Sequence, residues 1–240
     1  MIATAGVAKS FGRRAVLLDL DTRVVSGRVT ALVGPNGAGK TTFLKLLLGL
    51  ARPDAGEITI AGRVLDGSPE YRAAIGYMPQ MARFPAHLSG RELLATLVSL
   101  RPDGAAPDVA LATAFDLGDA FMRPLGTLSG GTRQRINAVL ALAFRPDLII
   151  LDEPTAGLDP LASRVLKDRI LAERAAGRTV LITSHALPEL EELADDVLFL
   201  ADGTAKWQGA ASALKISTGQ GTLERAVAQL LAGRPVLAAA

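Results

Sequence analysis

Apolar and polar positions form two patterns along the chain, one typical of strands and one typical of helices, and together they predict an α/β protein. Short, mainly apolar runs at Val29–Val33, Leu148–Leu151 and Thr179–Thr183 indicate buried strands. The run at Leu148–Leu151 is apolar at every position, which is typical of a central parallel strand covered on both faces. Helical patterns follow at 41–50 and 161–176, so we predict a mainly parallel central sheet flanked by helices.

The first part of the chain has a different pattern. Strand-like segments at 2–7 and 16–18 are separated by Arg13-Arg14, which we interpret as a turn, and another strand is predicted at 57–61. We therefore expect an N-terminal antiparallel β-subdomain ahead of the parallel sheet.

Residues 81–144 are predicted to be mainly helical, with helices at 93–100 and 109–115 and no strand. Pro102, Gly104 and Pro107 break the chain between these helices. We predict one domain over 1–240. Its parts are a catalytic core formed by 1–80 and 145–210, an inserted α-helical subdomain at 81–144, and a C-terminal tail at 211–240 with a helix at 223–231.

Composition narrows the class of protein. Lys and Arg total 26 against 24 for Asp and Glu, and a net charge of +2 argues against nucleic acid as a partner. The chain has no cysteine, which excludes disulfides and thiolate metal sites. No apolar run has the length of a membrane span and no signal peptide is visible, so we expect a cytoplasmic protein.

A phosphate-binding loop is the strongest motif. Gly34–Thr41 fits G-x-x-x-x-G-K-[ST], and it lies between a predicted strand and a predicted helix. Its glycines allow the backbone to approach phosphate oxygens, Lys40 would reach the β- and γ-phosphates, and Thr41 would bind Mg²⁺. The alternative is an ordinary glycine-rich turn before a core helix.

Two acids follow the most apolar strand. Asp152 and Glu153 come directly after Leu148–Leu151, at the carboxyl end where open α/β sheets bind ligands. One carboxylate can bind Mg²⁺, and the other can deprotonate a water that attacks the γ-phosphate. Acids in such positions are otherwise solvated loop residues.

Three further positions each allow two interpretations from the residues alone, and Phe11 allows one. Gln80 ends a predicted strand at 75–80 and either approaches the phosphate site or lies in an exposed loop. Ser129, followed by Gly130 and Gly131, is either a helix cap or part of a second anion site. His185 follows the strand Thr179–Thr183 and is either structural or a phosphate ligand, while Phe11 alone favours a partly buried core aromatic.

Motif order and spacing from Lys9 to about Gly209 resemble the ATP-binding subunits of ABC transporters. The run Leu128-Ser-Gly-Gly131 marks that family among phosphate-loop ATPases. The resemblance implies ATP and Mg²⁺ as cofactors, with Phe11 stacking on adenine. It assigns the phosphate loop to Gly34, Pro35, Asn36, Gly37, Ala38, Gly39, Lys40, Thr41 and Thr42.

The same resemblance assigns the chemistry. Glu153 corresponds to the catalytic base and His185 to the switch histidine. Asp152 corresponds to the Mg²⁺-associated acid, and Gln80 to the glutamine that senses Mg²⁺ and the attacking water. Every residue that the family needs for hydrolysis is present, which implies an active ATPase.

The resemblance also implies partners. Ser129, Gly130 and Gly131 correspond to the signature that grips the γ-phosphate bound to the opposite subunit, and Asp159 to the acid of the dimer interface. A head-to-tail homodimer would then power a separate membrane permease, which would hold the chain on the inner face of the membrane. The groove for the permease is expected within 72–90.

Three departures from the family pattern are visible. Thr132 stands where glutamine is usual, Phe11 replaces a commoner tyrosine or tryptophan, and 156–159 reads Ala-Gly-Leu-Asp. The tail at 221–233 is similar to the ending of ATPases that serve ABC-2-type exporters. Two stretches also resemble the ATPase of the copper-related transporter that matures nitrous-oxide reductase. The alternative function is an ABC ATPase of translation or DNA repair, although the coiled coils and second domain typical of those proteins are not evident.

Overall fold

Two β-sheets and eight α-helices form the architecture of the described residues, 1–101 and 105–232 of the computed structural model. The predicted breaks at Pro102 and Gly104 lie outside this part of the chain. The strands are β1 (Ile2–Phe11), β2 (Arg14–Val24), β3 (Val29–Val33), β4 (Ala55–Ile60), β5 (Arg63–Val64), β6 (Ile75–Met78), β7 (Leu148–Asp152), β8 (Thr179–Thr183), β9 (Asp196–Ala201) and β10 (Thr204–Ala210). The helices are α1 (Lys40–Leu47), α2 (Gly90–Ser99), α3 (Ala110–Ala114), α4 (Gly130–Leu142), α5 (Pro160–Ala175), α6 (Leu187–Leu193), α7 (Ala211–Thr218) and α8 (Leu223–Leu231).

The larger sheet has the strand order β10-β9-β3-β8-β7-β6. Every neighbouring pair is parallel except β10 and β9, which are antiparallel. Because parallel strands end at the same edge, β3, β7 and β8 bring their carboxyl ends together. The smaller sheet, of order β2-β1-β4-β5, is antiparallel throughout. The predicted fold class is therefore confirmed.

The larger sheet separates two apolar cores, since successive residues of each strand point to opposite faces. Leu32, Leu181 and Leu198 pack with helix α1 and the antiparallel sheet. Residues one position away, including Ala31 and Ile182, pack with helices α4, α5, α6 and α8 on the other face. Burial on both faces explains why these strands read as apolar runs.

Helices occupy the segment between β6 and β7, and no strand occurs there among the described residues 81–101 and 105–144. Helix α2 begins at a capping box, in which the Ser89 hydroxyl accepts from the Glu92 backbone and the Glu92 carboxylate accepts from the Ser89 backbone. The boundaries of the helical subdomain and of the other parts of the domain stay a prediction.

Several elements differ from the pattern-based prediction. Arg14 is the first residue of β2 rather than part of the turn, because β1 and β2 form a long hairpin that pairs Phe11 with Arg14. The predicted strand at 75–80 ends at Met78, so Gln80 lies beyond it. Strand β10 and helix α7 had no clear pattern, and β10 is a partly exposed edge strand that includes Lys206.

Candidate nucleotide-binding site

A cavity of about 570 Å³ lies at the carboxyl edge of the parallel sheet, between that edge and the β1–β2 hairpin. It brings together residues from five separate parts of the sequence. Its lining consists of Phe11, Arg14, Val16, Asn36, Gly37, Ala38, Gly39, Lys40, Thr41, Thr42, Gln80, Asp152, Glu153 and His185. Most residues that the sequence predicted for a nucleotide site are therefore adjacent in space.

The phosphate loop connects β3 to α1, and its shape depends on glycine. Gly34 has φ +154°, and a Cβ there would collide with the Leu200 carbonyl oxygen. Gly39 has φ +106°, and a Cβ there would lie 2.6 Å from a methyl group of Leu17. Larger residues at either position would displace the loop from β9 or β2, so the loop needs glycine at both.

Lys40 is held across this loop. Its Nζ donates hydrogen bonds to the carbonyl oxygens of Gly34 and Pro35, at 2.6 and 3.1 Å. Burial lowers the pKa of Lys40, and the negative charges of Glu153 and Asp152 partly oppose that shift. An anion in the cavity would add a further favourable charge for the ammonium group.

Both acids are fixed by the end of the adjacent strand β8. The Thr183 hydroxyl donates to Asp152 Oδ1 at 2.6 Å. The backbone N–H of Glu153 is shared between the Thr183 hydroxyl, at 3.0 Å, and the Thr183 carbonyl oxygen, at 3.1 Å. Glu153 has φ +49°, a conformation that non-glycine residues seldom adopt, and such strain is typical of functional positions.

Two side chains flank the Glu153 carboxylate. Gln80 Nε2 donates a hydrogen bond to Glu153 Oε2 at 2.9 Å, and His185 Nε2 lies 2.9 Å from Glu153 Oε1. His185 is 59% exposed and lines the cavity, so it is not a core histidine. Both interpretations of Gln80 apply, since it is exposed and also contacts the site.

Oxygen donors at the cavity suit Mg²⁺. The Thr41 hydroxyl, the Asp152 carboxylate and the Gln80 amide oxygen all belong to groups that line it. In the described chain no group of three or more His, Asp or Glu side chains could hold a metal. In proteins Mg²⁺ is usually bound by one or two protein groups together with phosphate and water. When bound, Mg²⁺ would neutralise phosphate charge.

Phe11 differs from the expectation based on its neighbours alone. It is 52% exposed at the end of β1, so the interpretation as a partly buried core aromatic is wrong. The hairpin lifts it out of the core, and its ring lines the cavity. Lys9 Nζ lies 5.5 Å from the ring centroid, within range of a cation–π contact, and also forms an ion pair with Asp54.

The predicted residues that belong neither to the phosphate loop nor to the cavity lining form a second cluster, at the start of α4 and the start of α5. Ser129 caps α4 by accepting from the Thr132 backbone N–H at 3.1 Å, so the capping interpretation holds. A Cβ on Gly131 would lie 3.0 Å from the Gly157 carbonyl oxygen, which places the start of α4 against the turn before α5. Asp159 caps α5 and pairs with Arg135 of α4 at 2.7 Å.

Three residues of the site had no role in the sequence-based prediction. Arg14 and Val16 line the cavity from β2, and Thr183 holds both acids. Position is their only sequence signal. Arg14 and Val16 are alternate residues just after the turn that follows Phe11, and Thr183 is the last residue of an apolar strand.

The fold and the cavity define a phosphate-loop nucleotide-binding protein with paired acids at the carboxyl edge of its sheet. Residues 17–156 match the family model described as ABC transporter. The chain is 37% identical to the daunorubicin resistance ATP-binding protein DrrA3 of Streptomyces coeruleorubidus, over 91% of this chain and 71% of that protein. It is 38% identical to the Nod factor export ATP-binding protein I of Burkholderia orbicola, over 87% and 70%.

A solved structure with a similar fold is described as the ATP binding subunit of an ABC transporter. It superposes with a TM-score of 0.87 at 30% identity, and the match covers 96% of this chain and 99% of that one. The chain therefore belongs to the ABC transporter family, as an ATP-binding ATPase subunit. Among the described residues no helix is long and apolar enough to cross a membrane.

Proposed function

We propose that the chain is the ATP-hydrolysing subunit of an ABC exporter, and that it acts as a head-to-tail homodimer bound to a separate permease. Export is supported by the relative from Burkholderia orbicola, which is named for Nod factor export. The separation of the two residue clusters within one chain is the observation that most supports the dimer.

In the proposed site, ATP binds with adenine on Phe11 and its phosphates on the loop from Gly34 to Thr42. Lys40 binds the β- and γ-phosphates, and Thr41, Asp152 and Gln80 hold Mg²⁺. Glu153 acts as the base that takes a proton from the attacking water, and its contacts with Gln80 and His185 orient its two oxygens. His185 also donates a hydrogen bond to the γ-phosphate.

The dimer completes the site in this proposal. Ser129, Gly130 and Gly131 lie outside the cavity lining of their own chain, although the start of α4 offers backbone N–H groups and the positive end of a helix dipole. Head-to-tail packing would bring these groups to the γ-phosphate of the partner and place Asp159 at the interface. ATP binding then favours the closed dimer, and hydrolysis releases it.

A groove beside the site suits the permease. It has a volume of about 370 Å³ and is lined mainly by apolar side chains, among them Phe84, Leu93, Leu97 and Phe144. Asn137 lines the same groove and donates a hydrogen bond to the Pro79 carbonyl oxygen, next to Gln80. We place a cytoplasmic helix of the permease here, which would hold the chain at the inner face of the membrane.

Replacing the proposed base tests both chemistry and assembly. The Glu153→Gln side chain keeps the shape of the carboxylate but cannot accept the proton of water. We expect kcat for ATP hydrolysis to fall by about 10²- to 10⁴-fold, the usual contribution of general acid–base catalysis. With ATP and Mg²⁺ the variant should elute as a dimer of twice the 25.0 kDa chain mass in size exclusion with light scattering.

Glu224→Gln is the matched control, because Glu224 is an exposed residue in the first turn of α8, outside the cavity lining. It should hydrolyse ATP at the parental rate. If Glu153→Gln hydrolyses ATP at near the parental rate, Glu153 is not the base. If it binds ATP but stays a monomer, the head-to-tail dimer is wrong.

A further inference from the structure

We propose that Arg14 is a further nucleotide-binding residue, and that its guanidinium group contacts the phosphate nearest the sugar of the bound nucleotide. This inference rests on the proposed function, because it assigns a residue to the same nucleotide site. It concerns the side of the cavity that the β1–β2 hairpin forms, a part of the chain separate from Asp152, the last residue of β7, and Glu153, which follows it.

The hairpin fixes where Arg14 lies. Arg14 opens β2 and is the cross-strand partner of Phe11, the last residue of β1. Val16 lies two residues further on, at an irregularity in the register of the hairpin, and both residues line the cavity. Leu17 is fully buried and lies against Gly39 of the phosphate loop. This packing holds β2 against the loop.

The guanidinium group lies beside the phosphate loop. Arg14 Nη2 is 3.5 Å from the position that a Cβ on Gly37 would occupy. In the part of the chain that the structure describes, the Arg14 side chain has no hydrogen bond or ion pair. By contrast, Lys9 is paired with Asp54, and Lys40 with two carbonyl groups. Arg14 therefore brings an unpaired positive charge to the loop.

An arginine in this position can also be an ordinary solvated residue of a hairpin. Arg13 is such a residue, since it lies in the turn, is exposed and is absent from the cavity lining. Arg14 differs in facing the cavity and in approaching Gly37. The planar fork of its N–H groups matches the geometry of phosphate oxygens, which favours binding over solvation.

Register indicates which phosphate Arg14 meets. Directly paired residues of an antiparallel hairpin have Cα atoms about 4.5–5.5 Å apart, so Arg14 starts beside the proposed adenine platform, Phe11. Its side chain then runs from the base end of the cavity to Gly37. We therefore expect Arg14 to contact a phosphate that ADP and ATP share. Its removal should weaken the binding of both nucleotides equally.

Nucleotide affinity of the full chain tests the proposal. Isothermal titration with ADP and Mg²⁺, and with ATP and Mg²⁺ in the Glu153→Gln background, should show Kd for Arg14→Ala raised about tenfold or more. Hydrogen bonds that involve a charged group contribute more than neutral ones, which sets this scale. The Kd of Arg14→Lys should lie between those of the parent and of Arg14→Ala, since lysine keeps the positive charge but lacks the planar fork of N–H groups.

Two comparisons make the outcome decisive. Arg13→Ala removes the same charge from the same hairpin and should leave both Kd values within about twofold of the parent. Lys40→Ala should weaken both nucleotides strongly. If Lys40→Ala weakens binding but Arg14→Ala behaves like Arg13→Ala, the role of Arg14 is wrong. If Lys40→Ala also leaves binding unchanged, the proposed nucleotide site itself is wrong.

Discussion

Thr183 is the residue whose replacement most directly tests how the two acids are held. Its hydroxyl both donates to Asp152 Oδ1, at 2.6 Å, and accepts from the Glu153 backbone N–H, at 3.0 Å. Thr183 is 2% exposed at the end of β8. Thr183→Val keeps nearly the same volume in the core and puts a methyl group in place of this hydroxyl.

The two lost hydrogen bonds differ in cost. The Glu153 N–H keeps a second acceptor, the Thr183 carbonyl oxygen at 3.1 Å, so that donor stays satisfied. Asp152 Oδ1 loses a donor to a charged acceptor, which usually costs about 1.5–3 kcal/mol. We therefore expect Thr183→Val to lower the free energy of unfolding by about 1.5–3 kcal/mol, and to free the carboxylate that we assign to Mg²⁺.

Urea unfolding and steady-state ATPase kinetics measure these two effects. Thr183→Ser is the control, because it keeps the hydroxyl and removes one buried methyl group, at a cost of about 1 kcal/mol. We expect kcat/KM for Mg-ATP to fall at least about tenfold in Thr183→Val, since misplaced catalytic groups lose rate steeply. In Thr183→Ser the loss of activity should be small.

The opposite result would refute the reasoning. If the valine and serine variants have equal stability and equal kcat/KM, the hydroxyl does not hold the acids, and their position depends on the strand alone. A double-mutant cycle with Asp152→Asn separates the pair, because the effect of Thr183→Val should shrink once the carboxylate charge is gone.

Two further predictions concern stability. The Ala110 backbone N–H, followed by the Arg169 guanidinium, holds the pKa of Asp108 below its ordinary value. The stability that the ionised Asp108 carboxylate contributes is therefore fully present above about pH 4, and it is lost as the pH falls through the folded-state pKa. Asp108→Asn should thus be less stable than the parent at pH 7 in urea unfolding, and the difference should narrow below pH 4; a constant difference would contradict this. Gly76→Ala should lower the free energy of unfolding by about 1–3 kcal/mol, because the new Cβ would collide with a backbone carbonyl of α4. Gly221→Ala is the control, since a Cβ there meets open space and should leave the stability unchanged. Equal melting temperatures of the two variants would show that no such collision occurs.

The sequence predicted the parallel sheet well because its strands are covered on both faces. Leu148–Leu151 and Val29–Val33 show their burial directly as apolar runs. The β1–β2 hairpin was predicted less accurately, because Arg13-Arg14 has the polarity of a turn. Cross-strand pairing of Arg14 with Phe11 depends on the register of the whole hairpin, which two adjacent arginines do not reveal.

The site was likewise predicted well where local sequence determines the geometry, and less well where the geometry depends on the order of distant strands. The spacing of Gly34, Gly39 and Lys40 specifies a phosphate loop by local geometry, so sequence was enough. Gln80 and His185 are brought to Glu153 by strand order, which places β7 between β6 and β8. Local sequence contains no record of that order, and the residues alone therefore left both positions open between two interpretations.

Helix α4 gives the proposed dimer a physical link to the proposed permease groove. Ser129 caps its first turn, and Gln134 and Asn137 reach from its buried face to the carbonyl oxygens of Pro154 and Pro79. Pro154 follows Glu153 and Pro79 precedes Gln80, so the helix is hydrogen-bonded to the residue next to each of these two site residues. Its 13 residues span about 20 Å at 1.5 Å per residue, a distance over which a helix moves as one body. A partner's γ-phosphate that pulls on Ser129 would therefore move the groove together with the segments that carry Gln80 and Glu153.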